Sequence, residues 1–184
     1  LWLDACLNEL PDEVRRWFLG YYYSAAQIKN REVIVNNKRG LQFPPGIGVY
    51  NLEGHELEFD EIQDKPWDTD AQILRSQWAY TANDPVKSFS ELLEYFINVV
   101  CMGGNLILNI SPMADGTIPE DQQDRLRRLG KWLAIFGEAV FETRPWKIHR
   151  LGESVQFTQS KDGRIIYGFY KGSFPQRLEL SMLP

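Results

Sequence analysis

The chain alternates apolar runs with amphipathic stretches, and each apolar run ends abruptly in a polar or aromatic side chain. Leu1-Trp2-Leu3 stops at Asp4, and Glu32-Val33-Ile34-Val35 runs into Asn36-Asn37-Lys38-Arg39. Ala71 to Tyr80 finishes in Gln77-Trp78-Ala79-Tyr80, and Leu106-Ile107-Leu108 meets Asn109. Continuous apolar runs of this length predict buried strands of a parallel sheet. The intervening stretches have helical spacing. Pro11-Asp12-Glu13 opens a helix, with Val14, Phe18, Tyr21, Tyr22 and Ala25 on a predicted packing face. Ser88-Phe89-Ser90-Glu91 is a capping box ahead of Leu92, Leu93, Phe96, Ile97 and Val100, and Gly103-Gly104 stops that helix. Thr117-Ile118-Pro119-Glu120 caps a third helix with Leu126, Leu129, Trp132, Leu133, Phe136 and Val140 on one face. Strand, helix, strand in repetition predicts an α/β fold.

Two regions break the pattern. Residues 41–70 contain Pro44, Pro45, Gly46 and Gly48, then a crowd of acids from Glu53 to Asp70, and read as a long ordered loop whose acids are mostly solvated surface. Beyond Pro145-Trp146, helical spacing gives way to short β-like runs at 154–158, 164–170 and 178–182, with a turn at Lys161-Asp162-Gly163. The predicted division is therefore 1–146, an α/β unit, and 147–184, the opening of an all-β unit.

Composition narrows the function. The 184 residues are 43% hydrophobic and 24% charged, with a formal net charge of -5 and no basic stripe, which argues against nucleic acid as a partner. Cys6 and Cys101 have no metal-ligand spacing and read as core thiols. The only histidines are His55 and His149; at this separation a metal site is poorly supported, and with no G-x-S-x-G elbow a Ser-His-Asp reading has little support. No cofactor or metal is implied. Gly103-Gly104 lacks the lysine and hydroxyl residue of a phosphate loop. No apolar run reaches the roughly 18 residues of a membrane helix. A chain that opens inside a strand, without an initiator Met, is expected to have been cut from something longer or processed.

Strands that end in Asp4, Asn36 to Arg39, Trp78 with Tyr80, and Asn109 would converge on one face, where (β/α)8 barrels carry their chemistry. Four such strands make half a barrel. One carboxylate from Asp4 and a second from the acidic loop are the minimum for glycoside hydrolysis, and a cation at Lys38 or Arg39 would keep the nucleophile ionised.

At this point a family resemblance enters. Leu1-Trp2-Leu3-Asp4 resembles the W-x-D segment of the family 29 glycoside hydrolases, the retaining α-L-fucosidases. Val35-Asn36-Asn37-Lys38-Arg39-Gly40 resembles their V-N-D-R/K-x-G, Pro66-Trp67-Asp68 their P-W-E, and Ser76-Gln77-Trp78-Ala79-Tyr80 their S-W-G-Y. Gly103 to Pro112, followed by Asp115-Gly116-Thr117-Ile118-Pro119, is similar to G-G-N-L-L-L-N-x-x-P and D-G-T-I-P. The resemblance implies the second half of a (β/α)8-like (TIM) barrel followed by the beginning of a β-sandwich. It implies Asp4 as nucleophile, with Trp2 and Trp78 lining a fucose pocket and Lys38, rather than its neighbour Arg39, as the cation. Order along the chain favours Glu53 as acid/base, with Glu56 and Glu58 as competitors. It implies a fucosylated oligosaccharide or glycoconjugate as partner, a secreted, periplasmic or lysosomal setting, and an N-terminal barrel half supplied by the same parent chain or a second one. Asp68 stands where many members have Glu, Ala79 where Gly is usual, and Ala5 where many have Gly. A catalytically silent sugar-binding protein on this fold, or a retaining glycosidase of another barrel family, are the alternatives.

Overall fold

The computed structural model describes residues 1–3, 7–38, 43–44, 46–53 and 61–173, apart from the side chains of Asn8 and Glu53. Helix α1 (Asp12–Ile28) leads to β1 (Asn36–Lys38), β2 (Val49–Glu53) and β3 (Trp67–Gln72). Helix α2 (Phe89–Cys101), β4 (Gly104–Asn109) and α3 (Glu120–Phe136) follow, and then β5 (Thr143–Leu151), β6 (Val155–Ser160) and β7 (Ile166–Tyr170). The first four strands form one parallel sheet in the order β1-β2-β3-β4. The last three form an antiparallel sheet, β5-β6-β7. The α/β class and the β-rich end follow the sequence reading.

The strand assignments need correction. Residues 41–70 are not one long loop, because they contain β2 and the first four of the six residues of β3. Both strands alternate. Tyr50, Leu52, Trp67, Thr69 and Ala71 face one side, while Asn51, Asp68, Asp70 and Gln72 share the other with Asn36 and Lys38, as the register requires. Seeking continuous apolar runs missed this period-two pattern. Asp68 and Asp70 are accordingly buried rather than solvated. Only Ala71 and Gln72 of the predicted 71–80 strand are in β3, and Leu74 makes a single antiparallel bridge to Val86. Leu1–Leu3 is not a regular strand, although the Leu1 carbonyl accepts from the Asn36 amide at 2.9 Å. Strand β5 was also missed, and it runs across the predicted division at 146/147. The predicted run at 178–182 lies outside the described residues.

Helix α2 forms as its caps dictate. Ser88 Oγ accepts from the Glu91 amide (3.2 Å), Glu91 Oε2 accepts from the Ser88 amide (2.7 Å), and the helix ends before Gly103 at φ 83°. Its inner face packs Val99 and Met102 on Leu52 and Trp67 of the sheet. Trp67 is 1% exposed, and its Nε1 donates to the Met102 carbonyl at 3.3 Å. Each such fully buried side chain contributes on the order of 2 kcal/mol. Helix α2 also contacts β5 and β6, so one helix serves both sheets. Behind it, Trp146, Val155 and Phe157 form the core of the antiparallel sheet, with the Trp146 and Phe157 rings edge-on at 5.3 Å.

The predicted packing face of α1 is divided. Phe18 and Tyr22 pack on Leu19, Val35 and Phe43, whereas Val14 and Tyr21 are exposed. The reason is spacing: the buried stripe runs through Phe18, Leu19, Tyr22 and Ala26, and Val14 and Tyr21 turn away with Trp17. Cys101 is a free buried thiol, as expected, and burial holds its pKa far above the usual thiol range. No helix among the described residues is long and apolar enough to cross a membrane.

Candidate active site

The side of the parallel sheet turned away from α2 is polar. At one level across it, Lys38, Asn51, Asp68 and Asn105 are register partners. Further along the strands come Glu53 opposite Asp70, then Gln72 opposite Asn109. Three strands are tied together here by side chains. Asn51 Nδ2 donates to Asp68 Oδ1 (2.7 Å) and more weakly to Asp70 Oδ1 (3.3 Å), and Asn36 Nδ2 donates to Asp68 Oδ2. Burial lifts the Asp68 carboxyl above the ordinary aspartate range; the amide bonds from Asn51 and Asn36 pull it down, and neighbouring Asp70 adds to the rise. Among the described residues, Asn51 Oδ1 and Gln72 Oε1 are buried without a hydrogen-bond partner, so the face retains polar atoms able to bond something further.

Beyond the strand ends, the loop between β3 and α2 carries Trp78. It is stitched down by the Asp84 carboxylate, which accepts from the Ser76 and Gln77 amides (3.0 and 2.7 Å), and by Lys87 Nζ, which donates to the Gln72 carbonyl (2.6 Å). Burial lowers the Lys87 pKa. The Trp78 carbonyl accepts from Asn109 Nδ2 (2.8 Å) and Ser111 Oγ (2.9 Å), so the loop hangs over the end of β4. Trp78 is 40% exposed.

Of the residues singled out in the sequence, Lys38 closes β1 half-buried on the polar face, Glu53 closes β2, and Trp2 is half-buried just ahead of the fold's first turn. Asp4, Arg39, Glu56 and Glu58 lie outside the described residues. Sequence reasoning missed the buried group of Asn51, Asp68, Asp70 and Gln72. The available signal was the alternation W-D-T-D-A-Q, hidden in a run of charges. Among the described residues, no group of three or more His, Cys, Asp or Glu could hold a metal ion.

The class that emerges is a parallel α/β unit with polar, partly buried side chains gathered on one sheet face toward its strand ends, followed by an antiparallel sheet. The sequence model for the family Alpha-L-fucosidase matches residues 1–138, and the chain belongs to that family. Tissue alpha-L-fucosidase of Homo sapiens is 30% identical over 156 residues, 83% of this chain and 33% of that protein. The Alpha-L-fucosidase of Dictyostelium discoideum is 27% identical over 92% of this chain and 37% of its own length. A crystal structure of the Thermotoga maritima alpha-fucosidase in complex with fucose superimposes with a TM-score of 0.67 at 28% identity, covering 83% of this chain and 33% of that one. An α-L-fucosidase from Bacteroides thetaiotaomicron shares the fold, with a TM-score of 0.71 at 21% identity over 88% of this chain and 40% of that chain. The chain therefore spans about a third of the length of the curated relatives it matches.

Proposed function

We propose that this chain is part of a retaining α-L-fucosidase, contributing the second half of a (β/α)8-like barrel and the opening of its β-sandwich, with the join just ahead of β5 rather than at 146/147. The observation that carries the reading is membership of the α-L-fucosidase family over residues 1–138. Support comes also from the Thermotoga maritima relative, which binds fucose and a mechanism-based inhibitor. Lys38 and Glu53 closing adjacent parallel strands is consistent with strand-end chemistry.

In this reading the Asp4 carboxylate attacks the anomeric carbon of a terminal α-L-fucosyl unit. The glycosidic C–O bond breaks as Glu53, or one of its competitors Glu56 and Glu58, delivers its proton to the leaving oxygen. The same carboxylate then takes a proton from water, the resulting oxygen attacks the anomeric carbon, and the Asp4 ester is released. Lys38 keeps Asp4 ionised, and the Trp2 and Trp78 faces meet the sugar's C–H surface and methyl group. A fucosylated glycan is the substrate, and the other half of the barrel supplies the remaining contacts. Hydrolysis of an aryl α-L-fucoside by the full-length protein tests this. Asp4→Asn should lower kcat by several orders of magnitude, on the order of 10⁴-fold or more. Equal activity in the variant removes Asp4 as nucleophile, and fucose binding without turnover by the wild type favours a silent sugar-binding protein.

A further inference from the structure

The backbone under Trp78 is held by a relay running from α3. Gln122 is 1% exposed, and its carboxamide clamps Ser111 from both sides: Oε1 accepts from the Ser111 amide (2.9 Å) and Nε2 donates to the Ser111 carbonyl (3.2 Å). Ser111, also 1% exposed, turns its hydroxyl onto the Trp78 carbonyl, where Asn109 at the end of β4 donates as well. Two donors thus occupy the two lone pairs of a single carbonyl oxygen. A carbonyl in a surface loop ordinarily bonds water. Here two side chains, one from the end of β4 and one from the segment after it, fix it instead, in a residue that is 40% exposed. An aromatic platform in an irregular loop binds a flat apolar face well only if the loop does not have to be ordered at the moment of binding.

We infer that Asn109, Ser111 and Gln122 are positioning residues that set substrate affinity by fixing Trp78. This rests on the reading that Trp78 lines the sugar pocket. None of the three needs to touch substrate, and their effect passes through the indole.

The test is steady-state hydrolysis of an aryl α-L-fucoside by the full-length protein, with single variants and the same variants combined with Trp78→Ala. Removal of one hydrogen bond of about 1 kcal/mol corresponds to roughly a fivefold change. Asn109→Asp, which keeps size and removes the donor, and Ser111→Ala should each raise KM about three- to tenfold and change kcat less. Ser111→Thr, which keeps the hydroxyl, should restore KM. In the Trp78→Ala background, neither Asn109→Asp nor Ser111→Ala should add anything, and this loss of additivity is what a purely structural role would not produce. If Trp78→Ala raises KM while Asn109→Asp and Ser111→Ala do not, the relay is wrong. If their effects persist undiminished without Trp78, they act by another route and the inference fails. If Trp78→Ala itself leaves KM unchanged, the pocket role of Trp78 falls, which is a different failure from that of the relay. Should Ser111→Ala not fold, Asn109→Asp at its less buried site carries the same comparison.

Discussion

Asp68 is a carboxyl with almost no water around it, held by two carboxamides and facing a second acid. Its pKa is raised from 3.8, so the folded state binds its proton more tightly than the unfolded chain does. The sign follows: this contribution favours the folded state fully below 3.8 and is lost as pH rises through the elevated folded value. Asp68→Asn, neutral at every pH, lacks that dependence. The Tm difference, variant minus wild type, should therefore climb as pH is raised from the acid range to neutrality; a flat or falling difference would show that the ionised carboxyl is not the strained form. Asp68→Ala should cost about 2–4 kcal/mol in thermal unfolding, because it strands the donors of Asn36 and Asn51. At this scale the sequence was partly legible. Lys38 and Asn109 were identified as strand-end residues, and they close β1 and β4. The sequence places Asp68 in a family-like Pro-Trp-Asp segment within a crowd of mostly solvated acids, and its burial is not legible there, since a charge says nothing about burial until its amide partners, 17 and 32 positions away, are known to be opposite it.

The elements form where local chemistry is strong and were misread where tertiary pairing decides. Helix α2 was legible from its capping box and its glycine stop, both local signals. Strands β2 and β3 were not, because their apolar side is packed chiefly by α2, which begins 36 residues after β2 and 17 after β3. The capping box makes a pH prediction. The Ser88 side chain and amide, then Arg75, hold the Glu91 carboxyl at about 2, against an ordinary 4.5. Its contribution is present above 4.5 and lost as pH falls toward 2, so Glu91→Gln should flatten that part of the acid-unfolding curve followed by circular dichroism. A curve as steep as wild type over that range would mean the box does not couple to folding. The first residue of β4 offers a harder test. A Cβ on Gly104 would lie 2.4–2.6 Å from the Trp67 ring, which is buried and tied to Met102. The ring has no room to yield, so Gly104→Ala should cost about 3 kcal/mol, the upper end of the overpacking range. A loss below about 1 kcal/mol in denaturant unfolding would contradict this packing.

At the scale of the molecule, the polar sheet face, the outer edge of β4 and one side of α1 are left uncovered among the described residues. Among the described residues, β4 pairs only with β3, which leaves its other edge available to another strand. Trp17, Tyr21 and Ile28 lie three to four residues apart, or a multiple of that, along α1, and are 70%, 65% and 85% exposed. They form a second apolar stripe on a helix whose first stripe is already packed. In a barrel, the outer helix and strand of the adjoining half would cover this stripe and that edge. On its own, therefore, the 184-residue chain should self-associate. If the proposed barrel reading is right, adding the other barrel half, joined or separate, should give a defined species that hydrolyses an aryl α-L-fucoside. Light scattering coupled to size exclusion measures the first part, and turnover measures the second. Replacing Trp17 and Tyr21 with Lys should suppress self-association of the isolated chain and also weaken assembly with the added segment, because one stripe serves both. If those substitutions affect neither, α1 is an outer surface of the protein and any partner layer meets the sheet alone.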